Sequence, residues 1–282
     1  MPRAVRQTDL VRARSAVFDV YGDHLAARGY WAPISGVVTL LQACHIAPPA
    51  TRTAVSRLTS QGWLEPVSRR GVRGYAATQV ARDRLGEASA RIYRPGPAPW
   101  DGRWHVVVTD RAADRGQRDR VNATLGYLGY GRIAPQTWLA ASHNPGLASS
   151  LGVLDIGYTE FTTSDLTDPR ALVARTWDLT ELALSYRSFV ADAAELREEI
   201  TRDWAPEQAY AVRTALVHRW RKFLFVDPSL PQQVLPADWP GQPARELFLD
   251  VAGTLLPGAR IFVSDALAAA GAPTPPEDRT DD

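Results

Sequence analysis

Apolar residues recur at helical spacing from Arg14 to Arg28, where Val17, Val20, Tyr21, His24 and Leu25 mark one face and Gly29 lies just past the end. Pro33 opens a second helical stretch through Ile34, Val37, Val38, Leu40, Leu41 and Cys44. Pro48 and Pro49 restart the chain, since proline costs nothing in a helix's first turn. The third stretch carries Thr51, Val55, Leu58 and Thr59 to Gln61, with Gly62 placed to cap it. Two short apolar runs follow, Trp63–Val67 and Tyr75–Thr78, separated by the glycine-bearing, arginine-rich Ser68–Gly74. That is a β-hairpin pattern. Thr78 is suited to N-cap a fourth helix running to about Tyr93. Three helices and a basic hairpin predict a winged helix-turn-helix over residues 1–94.

Pro95-Gly96-Pro97-Ala98-Pro99 reads as a stiff linker. Beyond it, Trp104–Thr109 predicts a strand, Asp114–Tyr127 a helix, and Gly131–Ala140 a strand with a bend. Val153–Ile156 and Glu160–Thr162 are two further short strand candidates. Strand, helix and more strands predict a ferredoxin-like α+β sandwich over 100–168. From Pro169 the pattern is helical: one long helix or two over Val173–Asp203, another from Pro206 to about Phe225, and a last one over Ala244–Leu256. The stretch 169–272 therefore reads as a mostly helical C-terminal domain. Residues 273–282 have the composition of a disordered acidic tail. The predicted fold class is α+β multidomain.

Composition adds exclusions. A hydrophobic fraction of 45% and a charged fraction of 22% are ordinary for a globular chain. Cys44 is the only cysteine, which excludes an intrachain disulfide and a cysteine metal cluster. No apolar run reaches the roughly 18 residues of a membrane span, and no apolar signal core follows the basic N-terminus. A cytoplasmic protein away from membranes is the simplest reading. The net charge of +1 conceals an asymmetry: residues 1–94 carry 14 arginines against six acidic residues, and the remainder is acidic. A basic module on an acidic body points to a polyanion partner for that module.

Within the third predicted helix, Ala54, Val55 and Leu58 fall on the core face, leaving Arg52, Thr53, Ser56 and Arg57 outward. Arginine suits bidentate contact with guanine, and serine and threonine reach base edges or phosphates. The candidate DNA-binding set is Thr51, Arg52, Thr53, Ser56 and Arg57, with Arg69, Arg70 and Arg73 on the hairpin to meet phosphates.

Several further stretches carry a resemblance. They include Ala13-Arg14-Ser15, Thr51–Leu58, Gly62-Trp63-Leu64, Trp100–Trp104, Leu128-Gly129-Tyr130-Gly131 and Thr137-Trp138-Leu139. The most specific are Leu216–Lys222, Asp227–Pro231, Leu235-Pro236, Trp239-Pro240-Gly241 and Ala244-Arg245. Over roughly residues 12–265 the chain resembles the PaaX family of bacterial repressors. The resemblance implies a homodimer that represses an aromatic, phenylacetate-type catabolic operon by binding double-stranded operator DNA. It also implies release by an aryl-acyl-CoA effector such as phenylacetyl-CoA, held outside the DNA-binding head, with residues 169–272 serving dimerisation and effector binding. His218, Arg219, Trp220, Arg221 and Lys222 are the candidate effector residues, their cations suiting CoA phosphates. The competing reading pairs some of them with Asp227 or Glu246, because positions 219 and 221 face different sides of a helix.

Enzymatic signals are sparse. Asp110 ends the first strand of the predicted ferredoxin-like unit, where a metal-dependent nucleic-acid hydrolase would place an acidic ligand; this is the alternative function. The five histidines are scattered along the sequence, which argues against a metal cluster, and neither a nucleophile-elbow motif nor a phosphate loop occurs. The expectation is a non-enzyme without cofactors.

Overall fold

The computed structural model describes residues 13–96, 100–201 and 204–273. The predicted tail from 274 onward, the Pro97–Pro99 part of the linker and the 202–203 end of the predicted long helix lie outside the described residues. The chain divides into two compact units.

Of the described residues, the first unit contains 13–94, 191–201, 204–221 and 247–273. Its first helix, α1 (Ala13–Asp19), widens into a π turn over Val20–His24 and tightens into a 3-10 turn over Ala26–Arg28, which Gly29 ends at φ 69°. Strand β1 (Trp31–Pro33) leads into α2 (Ile34–Ala43), and α3 (Pro48–Ser60) starts on proline after the extended Ala47. Strands β2 (Leu64–Arg69) and β3 (Val72–Ala77) form the expected hairpin, and β1 pairs with the other side of β3. Arg69 faces Val72, so Arg70 and Gly71 form a two-residue turn, with φ of 49° and 80°. Two positive φ values are what a hairpin of this length requires. Strand β2 is an edge, which is where Pro66 is tolerated. Helix α4 (Gln79–Ile92) begins on Thr78, whose hydroxyl accepts from the Ala81 N–H.

Helix α9 (Pro206–Arg221) and, from Leu247 on, helix α10 (Gly241–Ala269) also belong to this unit. Tyr210, Ala259, Val263, Ala266 and Leu267 are buried in the same core as Val17, Leu40, Val55, Leu58 and Leu64. The packing thus groups the residues differently from the sequence division at 169–272, whose helices are shared between the two units. Helix α10 also runs beyond the expected end at Leu256, straight through Pro257. A proline forfeits one ladder hydrogen bond. Here the burial of Ala259, Val263, Ala266 and Leu267 beyond it offsets that loss, and Gly258 lets Ala209 approach where a Cβ would sit 2.8 Å away. Helix α10 is long and apolar enough to cross a membrane by length and composition, although its apolar positions do not form an unbroken run. Phe248, Val251, Leu255, Ala259, Val263 and Leu267 recur along it at helical spacing and are buried in the protein.

Of the described residues, the second unit contains 95–96, 100–190 and 222–246. It opens as β4 (Trp104–Thr109), α5 (Arg115–Tyr127), β5 (Gly131–Ala134), β6 (Thr137–Ala140), α6 (Leu147–Val153) and β7 (Tyr158–Thr163). The sheet order is β5-β6-β4-β7, and every pair is antiparallel. Two strand–helix–strand units interleave in this way. Val153–Ile156 is not a strand: α6 ends there, and Asp155 at φ 52° turns the chain toward β7. Alternate residues of β4 face two cores. Val107 packs with Val121, Leu125 and Leu151 on the helical side, and Trp104 and Val106 pack with Leu172, Val173 and Leu230 on the other. The predicted long helix is two, α7 (Pro169–Thr176) and α8 (Leu179–Glu199), broken at the extended Trp177.

A Cβ on Gly74 would lie 2.5 Å from the Ala32 carbonyl oxygen and 2.7 Å from the Trp31 ring. Gly74→Ala is expected to cost about 1–3 kcal/mol, because backbone and a buried indole must both move. Urea unfolding checks this; an unchanged midpoint would mean that β1 yields freely.

Candidate functional site

On α3, Ala54, Val55 and Leu58 turn into the core as the pattern requires, and Arg52, Thr53, Ser56 and Arg57 are exposed. Positions 52, 53, 56 and 57 make one outward stripe. Thr51 departs from expectation. It is fully buried and its hydroxyl bonds back to the Ala47 carbonyl, because position 51 shares the inward stripe with 54, 55 and 58. On the hairpin, Arg70 occupies the turn and Arg73 is exposed. Arg69 is half-buried: its guanidinium lies over the Trp31 ring at 5.1 Å and donates to the Gly29 carbonyl. That contact braces the hairpin against the end of the first helix. Among the described residues, no carboxylate pairs with Arg52, Arg57, Arg70 or Arg73.

The five C-terminal candidates do not form one surface. His218 is buried with Nδ1 2.7 Å from an Asp19 carboxylate oxygen, and Arg221 Nε is 2.6 Å from the other oxygen. Trp220 is buried, stacked on Phe248 at 4.7 Å, with its indole N–H on the Ile92 carbonyl. Arg219 is half-buried and paired with Asp192, and Lys222 lies exposed in a 3-10 turn (Lys222–Phe225). Asp19 and Asp192 are carboxylate partners that lie far from this segment in the sequence. Asp227 accepts from the Tyr186 hydroxyl.

Sequence reasoning missed the network to which these contacts belong. Arg213 on α9 is 3% exposed, donates to Asp23 and the Tyr93 hydroxyl, and bonds the Ala252 carbonyl through Nε. His24 Nε2 meets the Thr214 hydroxyl at 3.0 Å. Asp19, Asp23 and His24 on and beside the π turn thus face Arg213, Thr214, His218 and Arg221 on α9. The spacing of the latter set places it on one helical stripe. Burial works to raise the Asp23 carboxyl, but the His24 ring, the Arg213 guanidinium and the Tyr93 hydroxyl together hold it below the ordinary carboxylate value. Burial lowers His24 to about 4, outweighing Asp23, so the ring is neutral near pH 7. Two complementary charged stripes at matched spacing were the available signal; nothing local tells that they meet.

In the second unit, Asp110 is exposed, and its N–H bonds the Gly157 carbonyl. Among the described residues, the group with metal-ligand geometry is elsewhere: His105, His143 and Glu160 present donor atoms within 4.8 Å of one another. Two of the five histidines that looked scattered are brought together by the fold. His105 is buried on β4, and burial lowers its pKa against the opposing pull of Glu160.

Three consecutive stretches of the chain match known protein families. Residues 12–78 match the PaaX-like protein family, 97–173 the PaaX protein central Cas2-like domain, and 177–265 the PaaX-like protein C-terminal domain. The Transcriptional repressor PaaX of Escherichia coli (strain K12) is 29% identical over 269 residues, covering 90% of this chain and 84% of that protein. Among solved structures, the uncharacterized protein Rv0674 from Mycobacterium tuberculosis superposes with a TM-score of 0.60 at 24% identity, over 89% of this chain and 98% of that one. The second likeness speaks to fold alone.

Two outcomes follow from the buried network. Asp23→Asn leaves the Arg213 guanidinium without its counter-charge and is expected to cost about 3–5 kcal/mol in denaturant unfolding. The His24 ring, held neutral when folded, takes a proton on unfolding once the pH drops below about 6.5. Its contribution is therefore full above that pH and is lost progressively toward pH 4, amounting to about 3 kcal/mol. Stability measured across that window is expected to fall more steeply in the wild type than in His24→Gln; equal slopes would contradict the assignment.

Proposed function

Because the chain belongs to the PaaX family, we propose that it is a transcriptional repressor of a phenylacetate-type catabolic operon, reading operator DNA with a winged helix-turn-helix. The observation that carries this reading is the stripe Arg52, Thr53, Ser56 and Arg57 on α3, exposed and free of competing carboxylates beside the Arg70 and Arg73 hairpin. In such a head the third helix enters the major groove and the hairpin follows the backbone. Arg52 and Arg57 take the base-reading role, and Arg70 and Arg73 take phosphate contacts. Thr51 and Arg69 support the surface rather than touch DNA: one fills the core and the other braces the hairpin.

The protein acts as a cytoplasmic homodimer, so that two heads meet two half-sites. An acyl-CoA effector completes the proposal. It empties the operator by binding a DNA-incompetent arrangement better, a difference of about 1–3 kcal/mol. Of the five candidate effector residues, Arg219 and Lys222 are the more accessible cations. His218, Trp220 and Arg221 enter as the packing that feels the effector, since their polar groups are already engaged by Asp19 and Ile92. A hydrolase built on Asp110 finds no support, because Asp110 stands outside the cluster of ligand-type side chains.

Gel-shift competition between the protein's own promoter region and random DNA tests the reading, with and without aryl-CoA thioesters. Arg52→Ala and Arg57→Ala are each expected to reduce discrimination by about 1–3 kcal/mol. Arg70→Ala is expected to weaken both DNAs nearly equally and to lower the salt slope by about one. Equal wild-type affinity for both DNAs would sink the repressor reading.

A further inference from the structure

Three side chains far apart in sequence converge at one end of the four-stranded sheet. His105 lies on β4, Glu160 on the neighbouring β7, and His143 in the loop between β6 and α6. Val107 faces Glu160 across the ladder, so His105, two residues earlier, shares its face. His105 Nε2 is 3.2 Å from Glu160 Oε2, and His143 Nε2 is 3.9 Å from the same oxygen. The two imidazoles stand edge to face at 5.1 Å.

Two imidazoles and one carboxylate are a donor set that zinc-type ions prefer when a fourth position is left to solvent. Bonds of about 2.0–2.1 Å in a tetrahedron put donor atoms about 3.3 Å apart. The His105–Glu160 separation already meets that spacing. His143 needs to move by about an ångström, and its side chain is 53% exposed, so little resists the movement. Glu160 at 40% exposure leaves the group open to solution.

The support behind these residues fits the same purpose. The buried Tyr130 hydroxyl is 2.8 Å from His105 Nδ1 and also accepts from the Asn144 N–H. A metal-binding histidine characteristically has its other ring nitrogen held by an oxygen, which fixes ring and tautomer. The loop that carries His143 is pinned in turn, because Asn144 donates to the Leu128 carbonyl and accepts from the Gly146 N–H. We propose that His105, His143 and Glu160 form a binding site for a divalent transition-metal ion of the zinc class. In the bound form Nδ1 of His105 carries the ring proton toward Tyr130, and Nε2 offers its lone pair to the ion. The ion then clamps the β6–α6 loop to β4 and β7.

The test is calorimetric titration of Zn2+ into the untagged full chain after chelator treatment. One ion per chain is expected, with a rise in melting temperature and, for Co2+, the visible absorption of a four-coordinate site. His143→Ala and Glu160→Gln change accessible side chains and are expected to fold, as far-UV circular dichroism would check; each is expected to abolish stoichiometric binding. Tyr130→Phe, a change in a positioning residue, is expected to weaken binding ten- to a hundredfold. Stoichiometric binding that survives in the His143→Ala/Glu160→Gln double variant would overturn the proposal. So would the failure of wild-type protein to bind Zn2+, which would leave Tyr130, His105 and Glu160 as a hydrogen-bonded chain only.

Discussion

Two carboxylates sunk into the protein govern its first unit. Asp19 and Asp23 flank and enter a π turn, and both are nearly buried. Removing a carboxylate from water costs several kcal/mol unless a cation and hydrogen bonds replace the lost hydration. Helix α9 supplies both: Arg213 to Asp23, and His218 with Arg221 to Asp19. The widened turn sets Asp23 and His24 where a regular helix would carry them around the axis. Once those pairs form, α9 has one register against the first helix. The apolar face of α10 then closes the core behind it.

This constraint explains what the sequence shows and what it hides. Local rules sufficed for the Arg70-Gly71 turn, for the Thr78 cap and for the alternating core and outward stripes of α3, because each depends on neighbours within a few residues. Periodicity also predicted the first strand and helix of the second unit, and it read the hairpin of β5 and β6 as one strand with a bend. It misassigned Val153–Ile156, since a short apolar run reads alike as strand or helix end. It stopped the last helix at Pro257, because the offset comes from core residues beyond the break. Thr51 entered the candidate DNA-binding set, although its position belongs to the inward stripe. The pairing of Asp19 with His218 and Arg221 spans about two hundred residues, and no local preference encodes it.

The candidate surfaces differ in kind. The α3 stripe and hairpin were legible because an exposed polar face on an otherwise apolar helix is a sequence-level pattern. The His218–Lys222 segment was legible as a run of cations; that His218 and Arg221 meet Asp19, and that Arg219 meets Asp192, was not. His105, His143 and Glu160 lay on three separate elements, and only the strand order β6-β4-β7 makes them neighbours. In the repressor reading, the rigid packing behind α3 holds the reading residues in fixed relation to the hairpin.

The outward face of the head is built from Arg52, Arg57, Arg70 and Arg73, and the chain's single lysine, Lys222, lies in the other unit. A guanidinium keeps its proton at any pH at which the protein stays folded. Nor can acetylation, which targets lysine, remove its charge. The attraction of this face for a polyanion is therefore permanent. Neither a shift of pH nor lysine acetylation can switch these cations off, and control that leaves them intact has to work by displacement, turning the surface away from its target.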